Sequence, residues 1–201
     1  MARAENPTPR SGLRARPCVG LLEITSIAKG LQTADAVLWE SSVELLFCEP
    51  VSPGKLVVLF TGEVEEVRSS MRRGMEVAGE ELAEQILIPN LETSVLEALH
   101  GRLSSPGGRA LGVIETSTLG ATLLAADVAV KTAAVVPVEL RLGNQIGGKA
   151  FVTLAGEVGD IRAAVAAGAS IAEERGHLVR EVVIAGPHPD LARYLRPGAA
   201  S

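Results

Sequence analysis

The residues that could do chemistry are a glycine-rich loop, three histidines, two cysteines and a repeated glutamate, and spacing tests each. Gly143-Asn144-Gln145-Ile146-Gly147-Gly148-Lys149 fits the first seven positions of a phosphate-binding loop, in which backbone N–H groups cradle phosphate and the lysine reaches it. The eighth position should offer Ser or Thr to magnesium and is Ala150. Phe151-Val152-Thr153-Leu154 then reads as a strand, whereas a phosphate loop must open a helix. Nucleotide hydrolysis is therefore not supported. His100, His177 and His188 are scattered, with no Glu or Cys beside them at metal spacing, so solvated or edge-contact roles are expected instead of ligation. Cys18 and Cys48 make neither a disulfide framework nor a metal cluster in a chain of 201 residues and read as reduced thiols. Glu23 and Glu115 occupy the same place in two copies of one pattern, so they are not a catalytic pair, and structural hydrogen bonding at a strand end is expected. Glu80, Glu81 and Glu84 read as a solvated helix face. Beyond composition, no Ser-His-Asp or Cys-His arrangement is supported.

The elements that must position these residues are written twice. Gly20-Leu21-Leu22-Glu23 aligns with Gly112-Val113-Ile114-Glu115, and Ala34-Asp35 with Ala126-Asp127; 127 minus 35 and 112 minus 20 both give 92. Gly54-Lys55 aligns with Gly148-Lys149, Gly62-Glu63-Val64 with Gly156-Glu157-Val158, Arg68 with Arg162 and Gly74 with Gly168, and 148 minus 54 gives 94. The second copy has thus gained two residues in the intervening loop. Each copy reads as strand, helix, hairpin, helix, strand. In the first copy strands are expected over 19–24, 43–48, 56–60 and 86–88, with helices over 27–41, 64–82 and 94–99 and a Pro/Gly turn at 51–55. In the second, strands are expected over 135–140, 150–154 and 179–184. Domains are expected at 18–100 and 110–196, joined by a linker at 101–109, with tails at 1–17 and 197–201. The fold class is α+β: two tandem ferredoxin-like domains, each a small antiparallel sheet with helices on one face, the other face being left for assembly.

Composition agrees. Hydrophobic residues make up 47% of the chain but aromatics only 2%, which suits helices closely packed on a sheet. Copies of this size bury a modest fraction of their surface, so oligomerisation would add stability. A net charge of −5 without a basic block gives nucleic-acid binding no support. No run of eighteen apolar residues spans a membrane, and residues 1–17, with four arginines and no apolar centre after them, read as a flexible cytoplasmic tail instead of a signal.

Leu22-Glu23-Ile24-Thr25-Ser26-Ile27-Ala28-Lys29-Gly30 with Ala34-Asp35-Ala36, and Gly112-Val113-Ile114-Glu115-Thr116 with Ala126-Asp127, Lys131 and Ala133, resemble the opening of bacterial microcompartment shell domains. The Gln145-to-Lys149 turn, the Gly156-Glu157-Val158 helix entry and Pro187-His188 extend the resemblance, which runs from Val19 to Leu195. It implies a shell subunit, not an enzyme, of the tandem type that forms a trimer with pseudo-sixfold symmetry, replacing a hexamer in a flat protein layer within the cytoplasm. Three duplicated chains put six similar edges around one axis, which closes without a free interface.

The resemblance also implies a central pore lined by the loop before each Gly-Lys step: Ser52, Pro53 and Gly54 in one copy, Gln145, Ile146, Gly147 and Gly148 in the other. Backbone N–H groups aimed at the axis would favour small polar or anionic solutes. Related tandem proteins place a cysteine directly before Pro-Gly-Lys to hold an iron–sulfur cluster; here that residue is Ser52, a poor iron ligand, so no metal and no cofactor are expected. Edge contacts with other shell proteins are implied for Lys131, Pro187 and His188, with Gly186 where an arginine is usual. In the first copy Trp39 replaces the lysine, as an edge anchor or a buried core residue, and Pro89-Asn90 is matched to Pro187-His188. Two other classes stay open: a duplicated ligand-sensing module on a ferredoxin-like scaffold, and a redox-active shell subunit with a metal on the pore axis.

Overall fold

A computed structural model describes residues 18–99, 109–143 and 147–193. The first copy runs β1 (Cys18–Ile24), α1 (Ile27–Glu40), β2 (Glu44–Val51), β3 (Lys55–Gly62), α2 (Val64–Ala78), a 3-10 turn (Gly79–Glu81) and β4 (Leu82–Ile88). After α3 (Thr93–Leu99), the second copy runs β5 (Ala110–Thr116), α4 (Leu119–Thr132), β6 (Val136–Leu142), β7 (Ala150–Gly156), α5 (Val158–Glu174) and β8 (Leu178–Ala185), then a 3-10 turn (Pro189–Arg193). The sheets have the same antiparallel order, β2-β3-β1-β4 and β6-β7-β5-β8. This is the ferredoxin-like arrangement expected from the repeat.

Local signals set the helix starts. Ser26 and Thr118 cap α1 and α4, each side-chain oxygen accepting from a backbone N–H three residues on, at 3.3 Å. Before α2, Glu63 and Glu66 form a capping box in which Glu66 Oε2 accepts from Glu63 N at 3.1 Å. The repeated Gly74 and Gly168 mark helix-on-sheet approach. A methyl at 74 would stand 2.5 Å from Leu22 Cδ1, and one at 168 would stand 2.6 Å from Ile114 Cδ1.

One expectation fails in this copy. The helix read over 64–82 ends at Ala78, because Gly79 turns to φ +57 and the chain becomes extended from Leu82. Glu84 therefore lies on β4 and is buried, not on a solvated helix face. Cross-strand pairing sets a second register point: Val19 faces Ile88 and Leu111 faces Ile184, a shift of 184 minus 88, or 96. In that register Asn90 (φ +57) corresponds to Gly186 (φ +67). Pro187-His188 thus matches Leu91-Glu92, not Pro89-Asn90, and Gly186 suits the left-handed turn.

The two copies differ in what covers them. Helices α1 and α2 cover one face of the first sheet, around Leu22, Leu56, Val58 and Phe60. Its opposite face (Val19, Leu21, Val57, Leu59, Ile86, Ile88) packs into one core with Leu119 and Leu123 of α4, so a helix of the second copy seals it. Helix α3 packs along β6.

Candidate pore loops and assembly faces

The two loops before the Gly-Lys steps are strand connections. Ser52-Pro53-Gly54 forms the β2–β3 tip, with a cis Ser52–Pro53 peptide and Gly54 N donating to Val51 O at 2.9 Å. Ser52 is half-buried; Pro53 and Gly54 are exposed. The β6–β7 loop is closed by Gly143 N donating to Lys149 O at 3.1 Å. Within it Gln145 and Ile146 lie outside the described residues, Gly147 is exposed and Gly148 is buried. Gly148 lies directly on the other loop: a methyl there would stand 2.7 Å from Ser52 O and 2.9 Å from Pro53 Cδ, and its φ is +82. Only glycine combines that backbone with that contact. The structure therefore brings Ser52, Pro53 and Gly148 together from opposite halves of the chain.

Behind each tip a lysine folds back on the repeated glutamate: Lys55 Nζ is 3.2 Å from Glu23 Oε2, and Lys149 Nζ is 2.9 Å from Glu115 Oε1. Glu23 does more. Its Oε1 accepts from Leu119 N at 2.6 Å and Gly120 N at 3.2 Å, the first N–H groups of α4. A carboxylate at a helix N-terminus meets both the orphan donors and the dipole, so a fully buried anion is compensated there. Spacing gave no sign of this bond, because it joins residues 96 apart in different copies.

Beside it sits Glu84, cross-strand from Glu23, with Arg175 Nη2 at 3.5 Å and His177 Nε2 at 3.7 Å from Oε1. Burial raises its pKa and the neighbouring Glu23 adds to the rise; Thr118, His177 and Arg175 oppose it. Ser117 Oγ lies 3.0 Å from His177 Nδ1, so Ser117, His177 and Glu84 line up superficially like a hydrolytic triad. The His–Glu separation of 3.7 Å exceeds hydrogen-bond range, and Ser117 N also donates to His177 O at 2.9 Å. Strand pairing accounts for the contact.

The edge residues are placed as follows. Trp39 is 84% exposed at the end of α1, which removes the buried-core alternative. Gln32, Asp35, Arg73 and Val77 line a shallow hollow beside it. Lys131, at the matching place on α4, is held 2.6 Å from Asp127 Oδ2, while Asp127 Oδ1 accepts from Glu92 N at 2.9 Å. Pro187 is half-buried; His188 is exposed, and its Nδ1 accepts from Asp190 N at 3.2 Å.

The donor set does not suit an iron–sulfur cluster at the loop tip. Ser52 offers a hydroxyl, and Cys48 lies within β2, half-buried, with its thiol pushed up by burial and then by Glu49. Cys18, buried at the start of β1, is raised chiefly by burial as well. Among the described residues, no three His, Cys, Asp or Glu side chains gather where they could hold a metal ion, and no helix is long and apolar enough to cross a membrane.

Comparison with known proteins follows the duplication. The BMC domain model matches residues 18–91 and again 110–187. The chain is 37% identical over 180 residues to the bacterial microcompartment shell protein PduT of Citrobacter freundii, covering 90% of this chain and 98% of that one. It is 43% identical over 83 residues to the shell protein EutM of Escherichia coli, covering 41% of this chain and 82% of EutM. A crystal structure of a microcompartment protein from Desulfitobacterium hafniense superposes with a TM-score of 0.82 at 44% identity, covering 89% of this chain and 99% of that one. A fused permuted hexameric shell protein shares the fold at a TM-score of 0.59 and 21% identity, covering 79% and 82%. Matched twice by the family's domain and folded alike in both copies, the chain belongs to the bacterial microcompartment shell proteins, in the form that carries two BMC domains in tandem.

Proposed function

We propose that three copies of this chain close into a pseudohexameric tile of a microcompartment shell, that the tile has a central pore for small polar or anionic solutes, and that the chain catalyses no reaction. The observation that carries this reading is the contact of Gly148 with Ser52 and Pro53, which sets the two unequal loops side by side at one end of the seam between copies. Around a threefold axis such a pair alternates: Ser52, Pro53 and Gly54, then Gln145, Ile146, Gly147 and Gly148, three times. Lys55 and Lys149 are neutralised by Glu23 and Glu115, so exposed backbone N–H groups and the Ser52 hydroxyl would set the pore's polarity.

The domains are taken as 18–100 and 110–196. Trp39, Lys131, Pro187 and His188 are the residues assigned to contacts with other shell proteins at the tile edge. Trp39 is the strongest of these, because a nearly bare indole beside a shallow hollow gains most from burial.

Electron microscopy of the purified protein tests the proposal: flat layers of threefold units with a central hole are expected. Ser52→Trp should leave the layers intact, fill the hole and slow solute passage across them. If the Ser52→Trp chain no longer forms trimers, Ser52 packs structurally and the pore assignment is wrong.

A further inference from the structure

The segment ahead of β1 and the end of α1 are chemically complementary. Residues 1–17 carry Arg3, Arg10, Arg14 and Arg16 against Glu5 alone, with no lysine. Four arginines less one glutamate give +3, so the rest of the chain carries −8 of the total −5. Charge divided in this way draws the two parts of one chain together. Arginine in place of lysine adds a geometric requirement, because its flat guanidinium stacks on an aromatic face as a compact ammonium does not.

Trp39 offers that face. It is the only tryptophan in the chain and, among the described residues, it is 84% exposed. Asp35 lies one helical turn before it and Glu40 follows it, and the three line one hollow with Arg73 of α2. Arg73 is already engaged, its Nη1 3.2 Å from Glu76 Oε2. Glu40 accepts from Ser69 Oγ at 2.8 Å, a neutral donor, and Asp35 has no ion pair among the described residues. The chain also enters β1 close by. Cys18 pairs with Gly62, and a methyl on Gly62 would stand 3.5 Å from Ser42 O, three residues past Trp39. Arg10 precedes Cys18 by eight residues, which extend to about 26 Å, whereas Asp35 to Glu40 spans about 8 Å of helix. Arg10, Arg14 and Arg16 are therefore all within reach of the hollow.

We propose that residues 1–17 fold back over the end of α1 of their own chain and lay an arginine guanidinium on the Trp39 indole, with Asp35 and Glu40 as its counter-charges. The occupant is the chain's own segment because so short a tether holds the arginines at an effective concentration on the order of millimolar, which a free partner would have to match. The contact covers the residue assigned above to tile edges. Resting on that assignment, segment and neighbouring tile compete for one indole, and joining at that edge waits on displacement of the segment. The second copy has Lys131 at this place, held by Asp127, so the shielded edges alternate with open ones around a pseudohexamer.

As the only tryptophan, Trp39 reports the contact by its own fluorescence, in the full chain at a dilution where layers do not form. A variant with Arg3→Gln, Arg10→Gln, Arg14→Gln and Arg16→Gln should raise acrylamide quenching of Trp39 about twofold at low salt. High salt should bring the natural chain to the same level. Equal quenching of the two chains at low salt overturns the proposal, including the case in which a neighbouring copy covers the indole in both. Lysine at the same four positions keeps the charge and should recover only part of the protection; full recovery would overturn the stacking of guanidinium on indole. In the electron microscope the glutamine variant should form layers at a lower protein concentration than the natural chain. An unchanged threshold overturns the competition at the edge, while the quenching still decides the contact. Layers from neither chain overturn the tile reading alone.

Discussion

The two halves of the chain share one fold and meet water differently, and the difference shows where stability is complete and where it is deferred. The first sheet is covered on both faces, its glutamate fully buried and bonded to a helix from the other half. Among the described residues, helices cover one face of the second sheet; on its other face Leu111, Thr153 and Ala155 are buried, but its glutamate keeps a third of its side chain in water with Lys149. Burying the equivalent apolar stripe would contribute roughly 25 cal/mol per Å². The duplicated chain covers the outer face of its first sheet internally, while Ile27, Leu31 and Leu38 of α1 and Val182 of β8 stay exposed. In the trimer proposed above, such surfaces would be buried by neighbouring copies.

The comparison can be broken most forcefully at the glutamates. Glu23→Ala leaves two helix N–H groups and Lys55 without their buried partner and should cost about 3 kcal/mol or more, whatever the protein concentration. Glu115→Ala, which removes only the exposed pair with Lys149, should cost no more than about 0.5 kcal/mol. Urea unfolding reads both, and equal losses would show that the halves do not differ as described.

A smaller contrast lies in the loops. Gly148→Ala combines a positive φ with a 2.7 Å approach to Ser52 O and should cost about 2 kcal/mol. Gly54→Ala, with φ +124 and nothing within 4 Å, should cost about 1 kcal/mol from the backbone alone. Thermal denaturation ranks them, and the reverse order would mean that the loops do not touch.

The smallest effect is the pH response of Glu84. Its folded pKa is raised, by burial first, above the ordinary 4.5, so its contribution to stability is fully present below that value and is lost as pH rises through the folded value. Acidification from neutral pH toward 5 should therefore stabilise the protein relative to Glu84→Gln. A difference in melting temperature that stays flat with pH would place Glu84 in water.

Much of this was legible in the sequence. The register of Gly20 against Gly112 and Gly54 against Gly148 fixed the duplication, and strand alternation gave the sheets. What escaped has physical reasons. Leu31 and Leu38 are apolar residues of α1, yet both are exposed, because an apolar stripe on a helix does not say which surface it meets. Glu84 was misplaced because acidic residues at helical spacing continue smoothly past Gly79, where only the backbone turn reveals the break. The Glu23 cap joins two copies, and a local pattern carries no information about a partner 96 residues away.

The central claim is that three copies of this chain close into one tile, and native mass spectrometry of the purified chain tests it most directly. A single dominant species at three times 20.9 kDa is predicted. A stable monomer at concentrations where shells assemble would contradict it.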